Sequence, residues 1–348
     1  MRWAECVYGP DASPLDGSLG HLALQPIGAA YGAAVKLRNV CYDRGWFATS
    51  PLPRQTVSVG NVTVGGTGKT PFVEMTARAL SDLGRRPAIL ARGYGDDASS
   101  EDDDERLPRS LRQAGLRRFT DPDRNASAER AIEDHDPDVL ILDDGFQHRR
   151  VERDLDVVLV DGLNGFGNER LLPAGPLREP LSSLRRADVL VITRANRLSA
   201  EGLRKLRRQI EPFRSSNVPV LRARHRPAGV FRFRAGRATS VSRSSIRDRP
   251  LLGFCGIGTP ASFRFTLVRD LGLNVVDVYP FPDHHTYTAT DRARLVRAAR
   301  RRGAEGLITT RKDAVKWADQ TGASPLFVEI EMEIRHGKQK LDSLLAQL

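Results

Sequence analysis

The chain has little cysteine: Cys6, Cys41 and Cys255 lie far apart in 348 residues. That spacing offers neither metal-ligand pairs nor an even-numbered disulfide framework, and it fits a reducing compartment. Aromatic residues make up only 6% and are not interleaved with the basic runs. No helix-turn-helix, zinc-finger or RNP pattern occurs either, so no nucleic-acid partner is expected despite a formal charge of +11. Lysine is scarce, seven of 54 basic residues, so arginine carries the positive balance. This bias reflects base composition as much as function. No secretory leader is expected, because the N-terminus carries Glu5, Asp11 and Asp16 and lacks a basic start followed by a dense apolar run. Nor is there a clean transmembrane stretch. Ser18 to Val35 carries no formal charge, but Pro26, His21, Gln25 and several glycines dilute it.

What remains is a chain with 40% hydrophobic residues, long enough for a sizeable core and two domains. Residues 1–50 read as a membrane-associated helical segment. Its small and apolar face would enter the headgroup boundary while Lys36 and Arg38 meet anionic lipid. The alternative is a helix packed on the protein's own core.

Residues 56–71 read T-V-S-V-G-N-V-T-V-G-G-T-G-K-T-P. Thr56 to Val59 has the β-branched texture of a buried strand, and Phe72 to Leu80 has apolar residues at helical spacing. Between them, Gly65, Gly66 and Gly68 lack the Cβ that would keep backbone N–H groups from a phosphate. With Thr67 they form a cradle, Lys69 adds a mobile charge, and the Thr70 hydroxyl can ligate Mg²⁺. The following helix aims its N-terminal dipole at the anion. Thr63 stands where the strict phosphate-loop pattern has glycine.

Further strands are expected at Pro87–Ala91, Val139–Leu142, Asp156–Val160, Asp188–Thr193 and Val218–Leu221, with helices at Asn125–Asp134 and Ala200–Phe213 between them. This alternation predicts a doubly wound, mostly parallel α/β sheet over residues 51–223. The second strand ends in R-G-Y-G, placing Arg92 and Tyr94 at a carboxyl edge, where such folds bind ligands. The third ends in D-D-G-F-Q-H, and a carboxylate at a strand tip opposite a phosphate loop can hold a metal ion. If the strand stays extended, only one of Asp143 and Asp144 faces the nucleotide. An acidic run, Glu101 to Glu105, reads as a solvated loop. From 224 the texture changes to short alternating segments, V-F-R-F-R and A-T-S-V-S, the signature of a β-ribbon linker. A smaller α/β unit follows, with strands at 251–255, 275–279, 306–310 and 326–330, helices at 261–271 and 291–302, and a last helix expected either in that unit or packed back on the core.

In order, the strings G-N-V-T-V-G-G-T-G-K-T-P, R-G-Y-G, L-D-D-G-F-Q-H, L-P-A-G-P-L-R-E (172–179), P-D-H-H (282–285) and T-R-K-D (310–313) resemble those of the tetraacyldisaccharide 4′-kinases. The resemblance covers most of the chain and makes Thr63 a family trait. It implies an ATP- and Mg²⁺-dependent kinase that phosphorylates the 4′-hydroxyl of tetraacyldisaccharide 1-phosphate in lipid A biosynthesis. It further implies action at the cytoplasmic face of the inner membrane, with an anionic bilayer as partner and no obligate protein partner. The roles it implies are phosphate binding by Lys69 and the loop amides, and metal binding by Thr70, Asp143 and Asp144. With Asp104 and Glu105 aligned to the family's Asp-Glu pair, and Asp103 one register away, the resemblance implies Asp104 as the base, supported by Asp283 and His284. Arg92, Tyr94, Gln147, His148, Arg178 and Glu179 meet the substrate. Two departures stand out: no G-D-E-P string precedes Asp104, and Arg311 replaces the family's glutamate. A switch ATPase or GTPase of the K-G-G-x-G-K-T type is the rival enzyme class, but it would need lysine at Val64, and T-R-A-N (193–196) lacks the aspartate of a guanine site. A non-catalytic nucleotide-binding scaffold would lack the catalytic groups present here.

Overall fold

In a computed structural model of the chain, residues 19–92, 107, 111–112, 115–234, 237–282, 285–318 and 324–348 are described, with side chains from residue 24 onward. The chain divides into two units, a larger one comprising residues 3–225 and 332–348 and a smaller one dominated by 226–331.

The larger unit is built on parallel strands β1 (Gln55–Asn61), β2 (Pro87–Ala91), β3 (Arg117–Thr120), β4 (Val139–Asp143), β5 (Leu155–Asp161), β6 (Val189–Thr193) and the start of β7 (Val220–Arg234). Their order, β7-β6-β5-β1-β4-β2-β3, reverses direction beside β1, creating the crevice in which doubly wound sheets place ligands. Successive β5 residues face opposite cores, as buried parallel strands require. Val157 and Leu159 pack with Phe72, Val73, Ala77 and Leu80 of helix α2 (Lys69–Asp82), whereas Val158 and Val160 pack with Leu206 and Ile210 of α4 (Ala200–Ile210). Helix α3 (Arg124–His135) starts at Asp123, whose carboxylate accepts from Asn125 N–H.

The smaller unit holds parallel strands in the order β10-β9-β11-β12, namely Val275–Pro280, Leu251–Cys255, Gly306–Thr310 and Leu326–His336. The expected ribbon is present as the antiparallel pairing of β7 residues 230–234 with β8 (Arg237–Val241). Phe327 stacks between Phe231 and Phe233 there. The expected strand at 218–221 is the beginning of a 15-residue strand, because the alternation simply continues through R-A-R-H-R. The expected helix 261–271 is α5 (Pro260–Phe265) followed by a wide π turn over Thr266–Asp270. Helix α6 is Ala289–Arg301. Helix α7 (Arg311–Ala318) and the short β3 went unread; the last helix is α8 (Lys338–Leu345). Leu341, Leu345 and Leu348 bury themselves in the larger unit's core.

Near the N-terminus, α1 (Leu19–Asp43) packs one face on the loop 171–179. A Cβ on Gly28 would sit 3.1 Å from Ala174, and one on Gly32 only 2.8 Å from Leu171, so glycine lets the helix approach. Tyr31 donates to the Arg178 carbonyl at 2.9 Å. Ile27, Leu37 and Val40 on the helix, with Trp46 and Phe47 just beyond it, remain exposed. Among the described residues no helix is long and apolar enough to cross a membrane.

The structure corrects the placement of Glu179 against substrate. Its side chain is fully enclosed, paired with Arg38 at 3.2 Å and Arg186 at 2.9 Å and accepting from Asn39 at 3.0 Å. Arg38 and Asn39 lie on α1, so the carboxylate serves as the helix's anchor. Burial alone would raise its pKa; the Arg186 charge and hydrogen bonds from Ser183, Asn39 and Arg186 outweigh burial and hold it below the usual carboxylate range. A depressed folded-state pKa means stability that is present above the unfolded value and lost as pH falls. Glu179→Ala should cost about 3 kcal/mol in urea unfolding, because it strands buried positive charge. Glu179→Gln should flatten the loss of stability that the wild type shows below about pH 4.5.

Candidate active site

β1 ends at Asn61, and the chain turns through the glycine loop into α2. Gly65 has φ 103° and Gly68 φ 89°, both in the left-handed region. Thr63 is absent from the positive-φ positions, which is why this loop tolerates a side chain there. Space above Gly65 and Gly66 is open to 4 Å, whereas a Cβ on Gly68 would meet His225 Nε2 at 2.5 Å. Gly68 is also the N-cap of α2 and offers no side-chain cap, so the first helical N–H groups remain for a ligand.

From below, the tips of neighbouring strands take up the loop's carbonyls. Thr193 donates to Thr67 O at 2.9 Å, and buried Arg194 donates to Gly66 O while pairing with Asp161 at 2.9 Å. Because each peptide is planar and trans, the Thr67 carbonyl held downward turns the Gly68 N–H upward, whereas the Thr67 N–H donates to Gly65 O at 3.1 Å. His225 completes the underside, its imidazole pushed down to about 3 by burial and by Arg194 and Arg197, hence neutral.

On the open side Lys69 Nζ lies 3.5 Å from Asp144 and donates to Asn61 Oδ1 at 3.2 Å. Burial lowers the lysine's pKa, and the Asp144 charge partly restores it. Asp144 has φ 62°, so the chain has already turned after β4. Both aspartates therefore face the loop: Asp143 accepts from the Thr70 hydroxyl at 3.3 Å and lies 3.5 Å from Arg118. Arg178 clamps Asp144 at 2.9 Å and reaches Gln147 Oε1 at 3.5 Å, while Gln147 donates to Asn61 O at 2.8 Å. Although burial would raise the Asp144 carboxyl, Lys69 and Arg178 hold it below its usual range. His148 is lowered by burial and by Arg124, Arg153 and Arg92. Arg124 donates to the Asp143 carbonyl at 3.3 Å.

The structure thus brings together Gly65, Gly66, Thr67, Gly68, Lys69, Thr70, Asp143, Asp144, Gln147 and Arg178, with Arg92 exposed at the end of β2. Tyr94, Asp104, Asp283 and His284 lie outside the described residues. Sequence reasoning missed Asn61, Arg118, Arg124, Arg194 and His225. Asn61 and Arg194 stand inside quoted strings, but only the third dimension gives them partners. Among the described residues no three His, Cys, Asp or Glu gather as a metal cage. Thr70 with two adjacent carboxylates does fit Mg²⁺, which commonly keeps one or two carboxylates and draws its other ligands from phosphates and water.

A glycine loop between strand and helix, its lysine, and paired aspartates on the adjacent strand tip define a P-loop nucleotide-binding protein of the α/β class. Comparison narrows the class. A family profile described as tetraacyldisaccharide-1-P 4′-kinase matches residues 20–348, and the chain belongs to that family. It is 40% identical over 343 residues to the tetraacyldisaccharide 4′-kinase of Syntrophus aciditrophicus (strain SB), covering 91% of this chain and 90% of that one. It is 37% identical to that of Anaeromyxobacter dehalogenans (strain 2CP-C), covering 95% and 92%. Its fold is similar to the crystal structure of LpxK from Aquifex aeolicus in complex with ATP, with TM-score 0.70, 29% identity, and coverage of 94% and 99%.

Gly68→Ala should weaken nucleotide binding about tenfold or more, from roughly 1–2 kcal/mol of left-handed strain plus the His225 clash, as titration calorimetry would register. In Asp144→Asn the lysine loses the charge that raises its pKa. The alkaline limb of nucleotide affinity should then move to lower pH than in wild type, and an unshifted limb would remove Lys69 as the titrating group.

Proposed function

We propose that the protein transfers the γ-phosphoryl group of ATP to the 4′-hydroxyl of tetraacyldisaccharide 1-phosphate, giving the bisphosphorylated lipid A precursor. The observation that carries this reading is the loop with its carbonyls tied down and Lys69, Thr70, Asp143 and Asp144 grouped on its open side. In phosphoryl transfer the protein mainly positions groups and neutralises charge. The loop amides and Lys69 hold the β- and γ-phosphates. Thr70 and Asp143, with Asp144 beside them, hold Mg²⁺, which when bound screens the charge that develops on the phosphate oxygens. Asp144 also sustains the positive charge of Lys69 in a site that would otherwise favour the neutral amine. Arg178, oriented by Asp144 and Gln147, and Arg92 are placed to meet the anionic substrate. Following the family resemblance, Asp104 takes the proton of the sugar hydroxyl, with Asp283 and His284 in support.

The substrate is a glycolipid, and this agrees with work at the cytoplasmic face of the inner membrane. Exposed Ile27, Leu37, Val40, Trp46 and Phe47, interspersed with Lys36 and Arg44, give the outer face of α1 and its extension an apolar and cationic character suited to an anionic bilayer.

Incubation with ATP, Mg²⁺ and tetraacyldisaccharide 1-phosphate should yield the bisphosphorylated product. Asp104→Ala should cut kcat about a hundredfold or more, as expected for loss of a general base. Full activity in that variant would move the base elsewhere. Replacing Trp46 and Phe47 by serine should shift the protein from anionic vesicles to the supernatant in a sedimentation assay while leaving ATP affinity intact; unchanged partitioning would refute the docking face.

A further inference from the structure

The inward face of α1 makes polar contacts that anchoring in a bilayer does not ask for. Gly28, Gly32, Val35 and Asn39 recur on that face at helical spacing and are buried, while Ile27, Leu37 and Val40 are exposed on the other. Within the inward face Tyr31 reaches the backbone of Arg178, and residue 178 is thereby held at three points. Its N–H donates to the Val62 carbonyl at 2.8 Å, its carbonyl accepts from the Tyr31 hydroxyl at 2.9 Å, and its guanidinium meets Asp144 at 2.9 Å. The Val62 contact belongs to a short antiparallel pairing, since Val64 N–H donates to the Pro176 carbonyl at 2.8 Å and Thr63 bridges to Leu177. Segment 176–178 therefore joins α1 to the first residues of the glycine loop.

The loop that follows β4 is tied to the same helix. Arg149 donates to the Asn39 carbonyl at 3.0 Å, pairs with Asp43 at 2.7 Å and lies over the Tyr42 ring at 5.0 Å. Arg186 joins the two loops to each other, because it pairs with Glu179 at 2.9 Å and lies 4.4 Å over the Phe146 ring. One helix thus grips both loops, with Tyr31 on 171–179 and its last turn on 144–149. The groups these loops carry, Arg178 on one and Asp144 with Gln147 on the other, meet each other directly. Their mutual aim depends on how the two loops are held.

We infer that Tyr31 and Arg149 are positioning residues through which α1 aligns the loops 144–149 and 171–179, so that Arg178 is aimed at Asp144 and at the anionic acceptor. This rests on the reading that Arg178 meets the acceptor. A tie that only stabilised the fold would lower the yield of folded protein and leave the turnover of folded molecules alone. One that only served docking would change partitioning onto vesicles. A tie that aims Arg178 acts on use of the acceptor, and only while Arg178 is there to be aimed.

The test is a double-mutant cycle on the full chain, with kcat and both KM values measured on protein shown to be folded by circular dichroism. Sedimentation with phosphatidylglycerol vesicles is run beside it. Tyr31→Phe should lower kcat/KM for tetraacyldisaccharide 1-phosphate about three- to tenfold, the scale of slightly misplacing a binding group, with KM for ATP and vesicle partitioning changing less than about twofold. In an Arg178→Ala background the same change should cost less than about twofold more, because the two residues act as one unit. Wild-type kcat/KM in Arg178→Ala would overturn the reading of Arg178 and the inference with it. An impaired Arg178→Ala enzyme together with an unimpaired Tyr31→Phe, with equal losses in both backgrounds, or with a loss that follows KM for ATP or vesicle partitioning, would overturn the inference alone. Arg149→Lys keeps the charge but loses the fork that spans Asn39 and Asp43, and it is judged by the same criteria, so a folding failure of one variant leaves the other to decide.

Discussion

A backbone can hold a phosphate only if its N–H groups face the anion, and that requires the opposing carbonyls to be satisfied elsewhere. In this protein Thr193 and Arg194, at the tip of β6, take the carbonyls of Thr67 and Gly66. Arg194 keeps its aim because Asp161, at the tip of β5, pairs with it in a nearly dry environment. His225 fills the space under Gly68 that any side chain on that residue would need. The amide-lined surface of the loop is therefore a product of strand tips that never touch the ligand side. Parallel sheets deliver those tips to one edge without further design.

Charge in the open half of the site is balanced as a set. Lys69 would lose its proton more readily in so buried a place were Asp144 not beside it, and Asp144 would be protonated more readily without Lys69 and Arg178. Among the described residues Asp143 makes only long contacts, 3.3 Å to Thr70 and 3.5 Å to Arg118, so it is the carboxylate that would turn more easily to a cation. The left-handed residue 144 makes this division of labour possible, since an extended chain would have sent one of the two side chains away. A comparable economy appears at Glu179, where one buried carboxylate fastens α1 to the loop that also carries Arg178.

Much of this was legible in the residues. Strand, glycine loop and helix followed from β-branched runs and helical periodicity, and the strands ending in Ala91, Asp143 and Thr193 were placed to within a residue or two. The elements that escaped notice are short or locally unremarkable. β3 is four residues of R-R-F-T that pair only because β2 lies beside them. The limits of α8 could not be read locally, because its leucines become core only against α2 and β1. Glu179 entered as a ligand residue only through the family resemblance; its partners Arg38 and Asn39 are about 140 positions away in sequence.

The sequence by itself determined that a phosphate loop sits between a strand and a helix, that acids follow on a neighbouring strand, and which family's ordered motifs the chain carries. These rest on local spacing, and spacing survives without coordinates. Only the tertiary structure decided that both aspartates face the loop, that Thr193, Arg194 and His225 support it from beneath, and that Glu179 is an anchor. Each of these depends on bringing distant residues within hydrogen-bond range and out of water, a property of the packed chain that no window of sequence contains.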